Sequence, residues 1–359
     1  MTTPQLTDCL IDEILLKRKI IITCGTGGVG KTTLSAAMAL RAAMLGKKAV
    51  VITIDPAKRL ATSLGLSELG DDPTDLTDRL NGIAGLAPLP GRFHAIVPDT
   101  KKTFELFVKE LSPNESVEKR VLENPIFQIF SKEFSGANEY MSLERLYALD
   151  RQQEYDTIIL DTPPSRNTLA FLDAPKLLAR LFEERLIRWL VVPANKLVAA
   201  GMRKALGLLE RMTGAGFMTH LVDFATSLFE VQAGFTQNLK AITTLLESNR
   251  VGFVMVVAPS PELVPEIEHF IKNLDEHHFH FDGVALNRTL GYLKKSEETE
   301  DRALNSALEL VEALKARELR TTAKMTRGFI AQLPELSRDV HSVEDLFHVA
   351  QAFNSARSS

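Results

Sequence analysis

Residues 25–33 read Gly25-Thr26-Gly27-Gly28-Val29-Gly30-Lys31-Thr32-Thr33. An apolar run, Lys19–Thr23, precedes this stretch, and Leu34–Leu45 follows it with a helical pattern, so a strand, a loop and a helix are expected in succession. The glycines allow the backbone to turn tightly with its N–H groups pointing inward, and the helix N-terminus adds partial positive charge. A purely structural turn has no need of Lys-Thr at this offset. The stretch therefore predicts a phosphate-binding loop of the Walker A type.

Three side chains of this loop have separate predicted roles toward a nucleotide. Lys31 is expected to contact the β- and γ-phosphates and to serve catalysis there, and Thr32 is expected to offer its hydroxyl to Mg²⁺. Thr33 is expected to bond an α-phosphate oxygen. The predicted ligands of the chain are therefore ATP and Mg²⁺, with the stretch 25–33 wrapped around the phosphates.

Two aspartates follow predicted strands at the edge where parallel sheets bind ligands. Thr157–Leu160 leads to Asp161, which is the Walker B candidate for holding Mg²⁺. Val50–Ile54 leads to Asp55, and Pro56 fixes the next turn so that this carboxylate points at the γ-phosphate and orients or deprotonates the attacking water. A single aspartate after a strand is also typical of a helix N-cap. Two of them beside a phosphate loop favour catalysis for Asp55 and metal binding for Asp161.

Short β-branched runs recur along the chain, and several of them are apolar on both faces. Helical patterns separate them, which is typical of parallel strands buried between helices. The predicted fold is therefore α/β, a doubly wound, mostly parallel sheet. The predicted strands are Lys19–Cys24, Ala49–Ile54, Phe93–Val97, Asp156–Leu160, Val251–Val257, Phe281–Leu286 and Gly328–Leu333.

Two connections between strands are far longer than a crossover requires, and both have helical periodicity. We expect a single ATPase domain over residues 1–359, with a helical subdomain formed by the insertions 99–155 and 162–250. Phenylalanines and methionines are dense there, and two interpretations stay open: a packed core, or an adaptable apolar groove. The phenylalanines are Phe104, Phe107, Phe127, Phe130, Phe134, Phe182, Phe217, Phe224 and Phe229.

The bulk composition excludes several classes of protein. With 42 Lys and Arg against 46 Asp and Glu, the formal charge of −4 gives no general attraction to nucleic acid. No run approaches the roughly 20 apolar residues of a spanning helix, and Met1–Cys9 lacks the plan of a signal peptide, so a cytoplasmic protein is expected. The 2 cysteines, Cys9 and Cys24, form no C-x-x-C pair and predict reduced core residues without structural zinc.

Three motifs together resemble the arsenite-pump ATPase (ArsA) and tail-anchored-protein targeting family. They are the loop above, Asp55-Pro-Ala as its switch I, and Asp161–Leu169, which reads Asp-Thr-Pro-Pro-Ser-Arg-Asn-Thr-Leu, as its switch II. Ser135–Met141 is similar to a segment of the single-copy bacterial members, so the resemblance spans nearly the whole chain. It implies that Asn287 hydrogen-bonds adenine and that Pro334 lies against the base; each of these residue types is also common in ordinary turns.

Three features depart from the pattern of that family. The family's loop lysine, which reaches across a dimer to the partner's phosphates, would fall at position 26, where Thr26 stands. The metalloid-binding cysteines and the zinc-binding C-x-x-C have no counterpart. Lys58 and Arg59 stand in switch I, and Arg166 stands in switch II, followed by Asn167. These basic residues either replace the missing charge or are solvated side chains, and the sequence leaves both open.

The resemblance implies three functions, and the residues do not decide between them. In the first, ATP binding and hydrolysis open and close a homodimer that receives hydrophobic helices of membrane proteins. In the second, the chain is the energy-coupling subunit of an anion exporter, against which the missing cysteines count. In the third, it is an ATP-gated binding protein with very slow turnover, which Thr26 keeps open. The expected partners are a second copy of the chain and a hydrophobic helical client or a membrane partner.

Overall fold

The computed structural model describes residues 10–53, 59–66, 69–83, 87–128, 137–162, 217–290, 302–324, 329–336 and 339–353. Within these residues, one central sheet contains eight strands. The strands are β1 Ile20–Cys24, β2 Lys48–Thr53, β3 Thr74–Asp75, β4 Arg92–Ile96, β5 Thr157–Asp161, β6 Val251–Val257, β7 Phe281–Thr289 and β8 Phe329–Pro334.

The strands follow each other across the sheet in the order β3-β4-β2-β5-β1-β6-β7-β8. β3 and β4 are antiparallel, and the other neighbouring pairs are parallel. The predicted α/β fold with a mostly parallel sheet is therefore confirmed, and the predicted strands correspond to β1, β2 and β4–β8. The sequence does not predict β3, because a strand of 2 residues is too short to show a period. Since β1 lies between β5 and β6, the loop after β1 leaves the middle of the sheet.

Helices alternate with these strands. The described helices include α1 Leu10–Lys17, α2 Lys31–Met44, α3 Arg59–Ser63, α4 Thr77–Asn81, α5 Thr100–Leu111, α6 Glu115–Glu123, α7 Ala137–Gln152, α8 Phe217–Glu247, α9 Val264–Glu276, α10 Arg302–Lys324 and α11 Val343–Gln351. Side-chain caps start several of them: Asp99 accepts from the backbone N–H of Lys101, and Ser342 accepts from that of Asp345.

Both faces of the sheet are covered. In β1, Ile21 packs in one cluster with residues of α1, α2 and α11, and it is fully buried. Ile20 and Ile22 point to the opposite face, because side chains alternate along a strand, and they too are 0% exposed. α2 is correspondingly buried over most of its surface, with Ala36, Met38 and their neighbours in the core.

The described residues fall into two compact units. Those within Met1–Pro98, Ala148–Leu169 and Leu245–Ser359 form the first, which contains the sheet, and those within Asp99–Tyr147 and Ala170–Thr244 form the second. The second unit is helical in its described part, with α5, α6 and portions of α7 and α8. The boundaries that the sequence suggests for a helical subdomain, 99–155 and 162–250, stay a prediction.

Aromatic rings form the interior of the second unit. Phe107 meets Tyr140 edge to face at 5.5 Å between ring centroids and Phe235 at 5.8 Å, and Phe104 meets Phe127 at 5.0 Å. All five side chains are buried. For Phe104, Phe107 and Phe127 the packed-core interpretation is therefore correct, whereas the side chain of Phe229 is 51% exposed. Phe130, Phe134 and Phe182 lie outside the described residues, as does the side chain of Phe217.

Candidate nucleotide-binding site

Two glycines give the loop after β1 a backbone that other residues do not readily adopt. Gly25 has a φ of 153°, and a Cβ there would lie 2.3 Å from the carbonyl oxygen of Val256 in β6. Gly30, directly before α2, has a φ of 83°, and a Cβ there would lie 2.3 Å from the side-chain nitrogen of Asn287. Glycine meets both demands because it tolerates positive φ and has no Cβ. The loop therefore runs close against β6 and β7, with Gly27 and Gly28 in its turn.

Lys31 and Asp161 form a buried ion pair where β5 ends and α2 begins. The Nζ atom of Lys31 lies 2.9 Å from Oδ1 of Asp161, and the two side chains are 5% and 0% exposed. The same ammonium group donates to the carbonyl oxygen of Thr162. Buried charges are tolerated when they are paired with good geometry and have further hydrogen bonds. The structure thus brings together the lysine predicted to bind phosphate and the aspartate predicted to bind the metal.

The other carboxylate oxygen of Asp161 accepts hydrogen bonds from two hydroxyl groups. Thr32 Oγ1 lies 2.7 Å from Oδ2, and Thr53 Oγ1 lies 2.8 Å from the same atom. Thr53 is the last residue of β2 and pairs with Asp161 in the parallel register of β2 and β5. Sequence reasoning missed Thr53, because its contact depends on the register of two strands whose residues are 108 positions apart. The available signal was a polar residue inside an apolar strand, two positions before Asp55.

Thr23 in β1 and Ser35 in α2 support the ion pair of Lys31 and Asp161 through hydrogen bonds, and sequence reasoning missed both residues. Their hydroxyl oxygens are 2.6 Å apart, and Ser35 Oγ also donates to the carbonyl oxygen of Lys31 at 2.8 Å. Ser35 Oγ lies 3.4 Å from Oδ1 of Asp161. Both residues are 0% exposed. They fix the first turn of α2 against β1, so the positions of Lys31 and Thr32 are set by a closed hydrogen-bond network.

Asn287 and Pro334 lie at the ends of β7 and β8, and both line one cavity beside the loop. The side-chain amide of Asn287 donates to the carbonyl oxygen of Val29 at 2.7 Å. Thr33 and Gly30 also line this cavity. The structure thus brings these two residues next to the phosphate loop, and their contact with adenine stays a prediction.

A second cleft lies on the loop itself and has a volume of about 370 Å³. Its lining includes Thr26, Gly28, Gly30, Lys31, Thr32, Thr33, Thr62, Ser63, Arg288, Asp339, Val340 and His341. Arg288 lines both this cleft and the cavity beside Asn287. Sequence reasoning missed Arg288, because this residue belongs to no motif.

Cys24 ends β1 directly before the loop and is a free, buried thiol. Burial raises the pKa of this thiol to about 12, and the nearby Lys31 ammonium opposes that shift only in part. A thiol that stays protonated is a poor nucleophile and a poor metal ligand. Cys24 is therefore a small core residue as predicted, and Cys9 lies outside the described residues.

Comparison with known proteins gives this geometry a family. The model of the anion-transporting ATPase family, ArsA, matches residues 18–354. The chain belongs to the ArsA ATPase family. It is accordingly an ATP-hydrolysing P-loop enzyme, and the sequence-based resemblance to this family is confirmed.

Relatives within the ArsA family carry two kinds of name. A protein of Prosthecochloris vibrioformis that bears the name arsenical pump-driving ATPase is 24% identical over 336 residues, which covers 91% of this chain and 76% of that protein. The ATPase ASNA1 homolog 1 of Paramecium tetraurelia is 31% identical over 179 residues, 49% of each protein. The ATPase GET3 of Malassezia globosa is 25% identical over 185 residues, 49% of this chain and 48% of that one. The matches to these last two thus span about half of their length.

Several residues of the ArsA switch motifs lie outside the described part of the chain. They are Asp55, Lys58, Arg166 and Asn167, together with the side chain of Arg59, which begins α3. The catalytic role of Asp55 and the alternatives for the basic residues therefore stay predictions. Thr26 is described and lines the loop cleft. None of the helices in the described part of the chain combines the length and the apolar character needed to cross a membrane.

The donor groups at the ArsA loop fit a Mg²⁺ ion. Thr32 supplies a hydroxyl oxygen and Asp161 a carboxylate oxygen, 2.7 Å apart, and Mg²⁺ prefers hard oxygen ligands together with substrate phosphates. The hydroxyl group of Thr53 also donates to Asp161 and orients the carboxylate. Because this hydroxyl is neutral, it leaves the negative charge of Asp161 for the metal. Lys31 lies at the same carboxylate and supplies positive charge at the mouth of the loop.

Proposed function

We propose that this chain is a Mg²⁺-dependent ATPase that acts as a nucleotide-gated dimeric switch and binds hydrophobic helices of membrane proteins. The observation that carries the proposal is the hydrogen-bond network of Asp161. It joins the loop residues Lys31 and Thr32 to Thr53 at the end of β2 and, through Lys31, to Thr162 directly after β5. These two strand ends lead into the segments that contain Asp55 and the second long insertion.

Hydrolysis at this site is divided among the residues as follows. Lys31 attracts the β- and γ-phosphates, and the loop N–H groups and the N-terminus of α2 bind phosphate oxygens. Thr32 and Asp161 hold Mg²⁺, which when bound neutralises charge on the phosphates. Asp55 orients the attacking water and accepts its proton. Thr53 and Ser35 keep Asp161 in place during the reaction.

The switch follows from competition for one ammonium group. In the structure, Lys31 donates to the carboxylate of Asp161 and to the backbone of Thr162. A γ-phosphate draws the same group toward itself, because charge-assisted hydrogen bonds to phosphate are strong. Binding and release of that phosphate therefore change the contacts at Thr162, the first residue of the insertion 162–250. A ligand shifts such an equilibrium only through its different affinity for the two states.

The client proposal follows from the resemblance to the targeting members of the family and from exposed apolar side chains in the second unit. Phe229 and Leu106 are 51% and 49% exposed there. Because Phe104, Phe107 and Phe127 are core residues, they do not line a groove. An apolar helix that covers exposed side chains of this kind gains free energy from burial and loses much of it to immobilisation. We expect dissociation constants on the order of micromolar.

A peptide-binding experiment tests the proposal. A fluorescent apolar helix of about 20 residues is titrated with the Asp55→Asn variant in ATP, in ADP and without nucleotide, each with Mg²⁺. We expect at least about tenfold tighter binding in ATP, because a ligand of the ATP state and ATP itself stabilise one conformation. Phe229→Ser should weaken binding, whereas Leu310→Ser, which changes an even more exposed apolar side chain of the first unit, should not.

A control variant checks that the nucleotide causes the difference in peptide binding. Adding Lys31→Ala should abolish the difference between nucleotides, because the phosphate signal is lost. Equal peptide affinity in all three nucleotide states contradicts the client proposal.

The second candidate, the energy-coupling subunit of an anion exporter, is favoured by the relative that matches over 91% of this chain and bears an arsenical-pump name. Turnover that rises on addition of arsenite, without peptide binding, would favour that candidate.

A further inference from the structure

Arg288 has a backbone conformation that arginine rarely adopts. Its φ is 62°, in the left-handed region, and β7 shifts register against β8 between Leu286 and Thr289. The neighbours hold this conformation: Thr289 Oγ1 donates to the carbonyl oxygen of Leu333 at 3.0 Å, and the N–H of Glu335 donates to the carbonyl oxygen of Thr289 at 3.0 Å. Asparagine or glycine would adopt the same conformation at lower cost. Strain of this kind persists where the residue serves a site.

The position of Arg288 connects two parts of the nucleotide site. It lines the cleft of the phosphate loop, together with Lys31 and Thr32, and also the cavity shared by Asn287 and Pro334. A molecule that extends from one to the other passes this residue. A nucleotide has that extended form, with its base at one end and its phosphates at the other.

The charges around the cleft leave room for a second cation. Lys31 is paired with the buried Asp161 at 2.9 Å, so part of its charge is offset before any phosphate binds. Arg288 has a weak partner, since its Nε lies 3.8 Å from Oε2 of Glu335 and the two side chains are 52% and 45% exposed. An exposed ion pair at this distance contributes little and competes weakly with a ligand.

We propose that the guanidinium group of Arg288 binds the phosphate chain of the nucleotide. The inference rests on the proposed placement of ATP in this cleft and adds a phosphate-binding residue beyond the loop itself. A guanidinium group is planar and donates two parallel hydrogen bonds to phosphate oxygens, which a lysine does not reproduce. The strained backbone is retained because arginine, rather than asparagine or glycine, supplies this contact.

A substitution to a residue that tolerates the positive φ of position 288 tests ATP binding without lowering the stability of the fold. Arg288→Asn should melt at the parent temperature or above it, because asparagine tolerates positive φ. Its dissociation constant for ATP should nevertheless rise about tenfold, the usual loss for a hydrogen bond to a charged group. The constant for adenosine should stay unchanged, since adenosine has no phosphate. Arg288→Lys should fall between parent and Arg288→Asn, and Glu335→Gln, which removes the competing carboxylate, should bind ATP as tightly as the parent or tighter.

Calorimetry with ATP and with adenosine on these variants and on Lys31→Ala tests the proposal. Unchanged ATP affinity in Arg288→Asn, with binding lost in Lys31→Ala, overturns the role of Arg288 and leaves the loop assignment standing. Equal losses for ATP and adenosine also overturn it, because they indicate a contact with the base or sugar. Unchanged affinity in Lys31→Ala contradicts the placement of the nucleotide itself and, with it, the inference.

Discussion

Asp161 is the residue on which the site depends, and its surroundings explain how one carboxylate serves several groups. One oxygen faces Lys31 and the other accepts Thr32 and Thr53. With no exposure to solvent, this carboxylate relies on protein donors for stabilisation. Its orientation is therefore set by two hydroxyl groups, of which Thr53 is the one that the loop does not provide and that has no proposed contact with the metal or the phosphates.

Thr53→Val tests that orientation at the scale of a single hydroxyl group. Valine has the same shape, so we expect a folded protein in which Asp161 has lost the donor at 2.8 Å. Losing one hydrogen bond to a buried charge costs about 1–3 kcal/mol. Turnover should fall about tenfold, and more Mg²⁺ should be needed for half-maximal activity. The measurement is the ATPase rate as a function of Mg²⁺ concentration.

Thr157→Val is the matched control for this substitution. Thr157 lies on the same strand as Asp161 and is also 0% exposed, but its hydroxyl oxygen has no hydrogen-bond partner among the described residues. Replacing an unsatisfied hydroxyl by a methyl group should leave turnover unchanged and should not lower stability. If Thr53→Val hydrolyses ATP at the parent rate with the parent Mg²⁺ requirement, Thr53 does not orient Asp161.

At the scale of elements, the loop after β1 is defined by how closely it approaches β6. Gly25→Ala would place a Cβ 2.3 Å from the carbonyl oxygen of Val256, at a φ of 153°. Such crowding in a packed sheet, added to the backbone strain, should lower the free energy of unfolding by about 3 kcal/mol. Gly46→Ala is the control, because Gly46 has a φ of 88° but, in the described part of the chain, no atom lies within 4 Å of a Cβ placed there.

Urea denaturation measures both glycine variants. The free energy of unfolding of Gly46→Ala should fall by about 1 kcal/mol, the cost of alanine in a left-handed conformation. This variant should bind ATP like the parent. Gly25→Ala should lose clearly more and should also bind ATP weakly, because the backbone of the loop must move. Equal losses in the two variants would mean that strand spacing does not constrain the loop.

The sequence predicts those elements whose signal is local. The loop, the strands that flank it and Asp161 are each recognisable within about ten residues, because a strand, a turn and a helix start have their own patterns. Thr53, Ser35 and Arg288 were not predictable in this way. The position of Thr53 follows from the pairing of β2 with β5, that of Ser35 from the contacts of α2 with Thr23 and Asp161, and that of Arg288 from a register shift in β7. None of these leaves a periodic trace in the sequence.

At the scale of the whole molecule, the two ends of the parallel strands form two edges of the sheet with different roles, one in nucleotide binding and the other in stability. The site lies where the parallel strands end. At the opposite edge, where they begin, ion pairs join distant parts of the chain: Lys19 with Asp150, Arg250 with Asp150, and Arg18 with Asp282. Arg18 also donates to the carbonyl oxygen of Asn249 at 2.6 Å. This edge therefore binds β1, β6 and β7 together without touching the nucleotide cleft.

Arg18→Met tests this division. The side chains of Arg18 and Asp282 are 6% and 8% exposed, so removing the arginine leaves a buried carboxylate without its bidentate partner. The free energy of unfolding should fall by about 3–5 kcal/mol. Arg92→Met is the control: Arg92 pairs with Asp75 at 2.9 Å at the start of β4, but it is 65% exposed, and an exposed pair contributes at most about 1 kcal/mol.

Adding Asp282→Asn to Arg18→Met should recover part of the loss, because the stranded charge is removed. Unfolding free energies come from urea titration and ATP affinity from calorimetry on the same samples. We expect the ATP dissociation constant of every variant to stay within about twofold of the parent, since sites this far apart with no shared partners are independent. An Arg18→Met protein as stable as the parent would show that the pair only offsets its own desolvation. A variant that keeps its stability but loses ATP affinity would show that the two edges are coupled through β1.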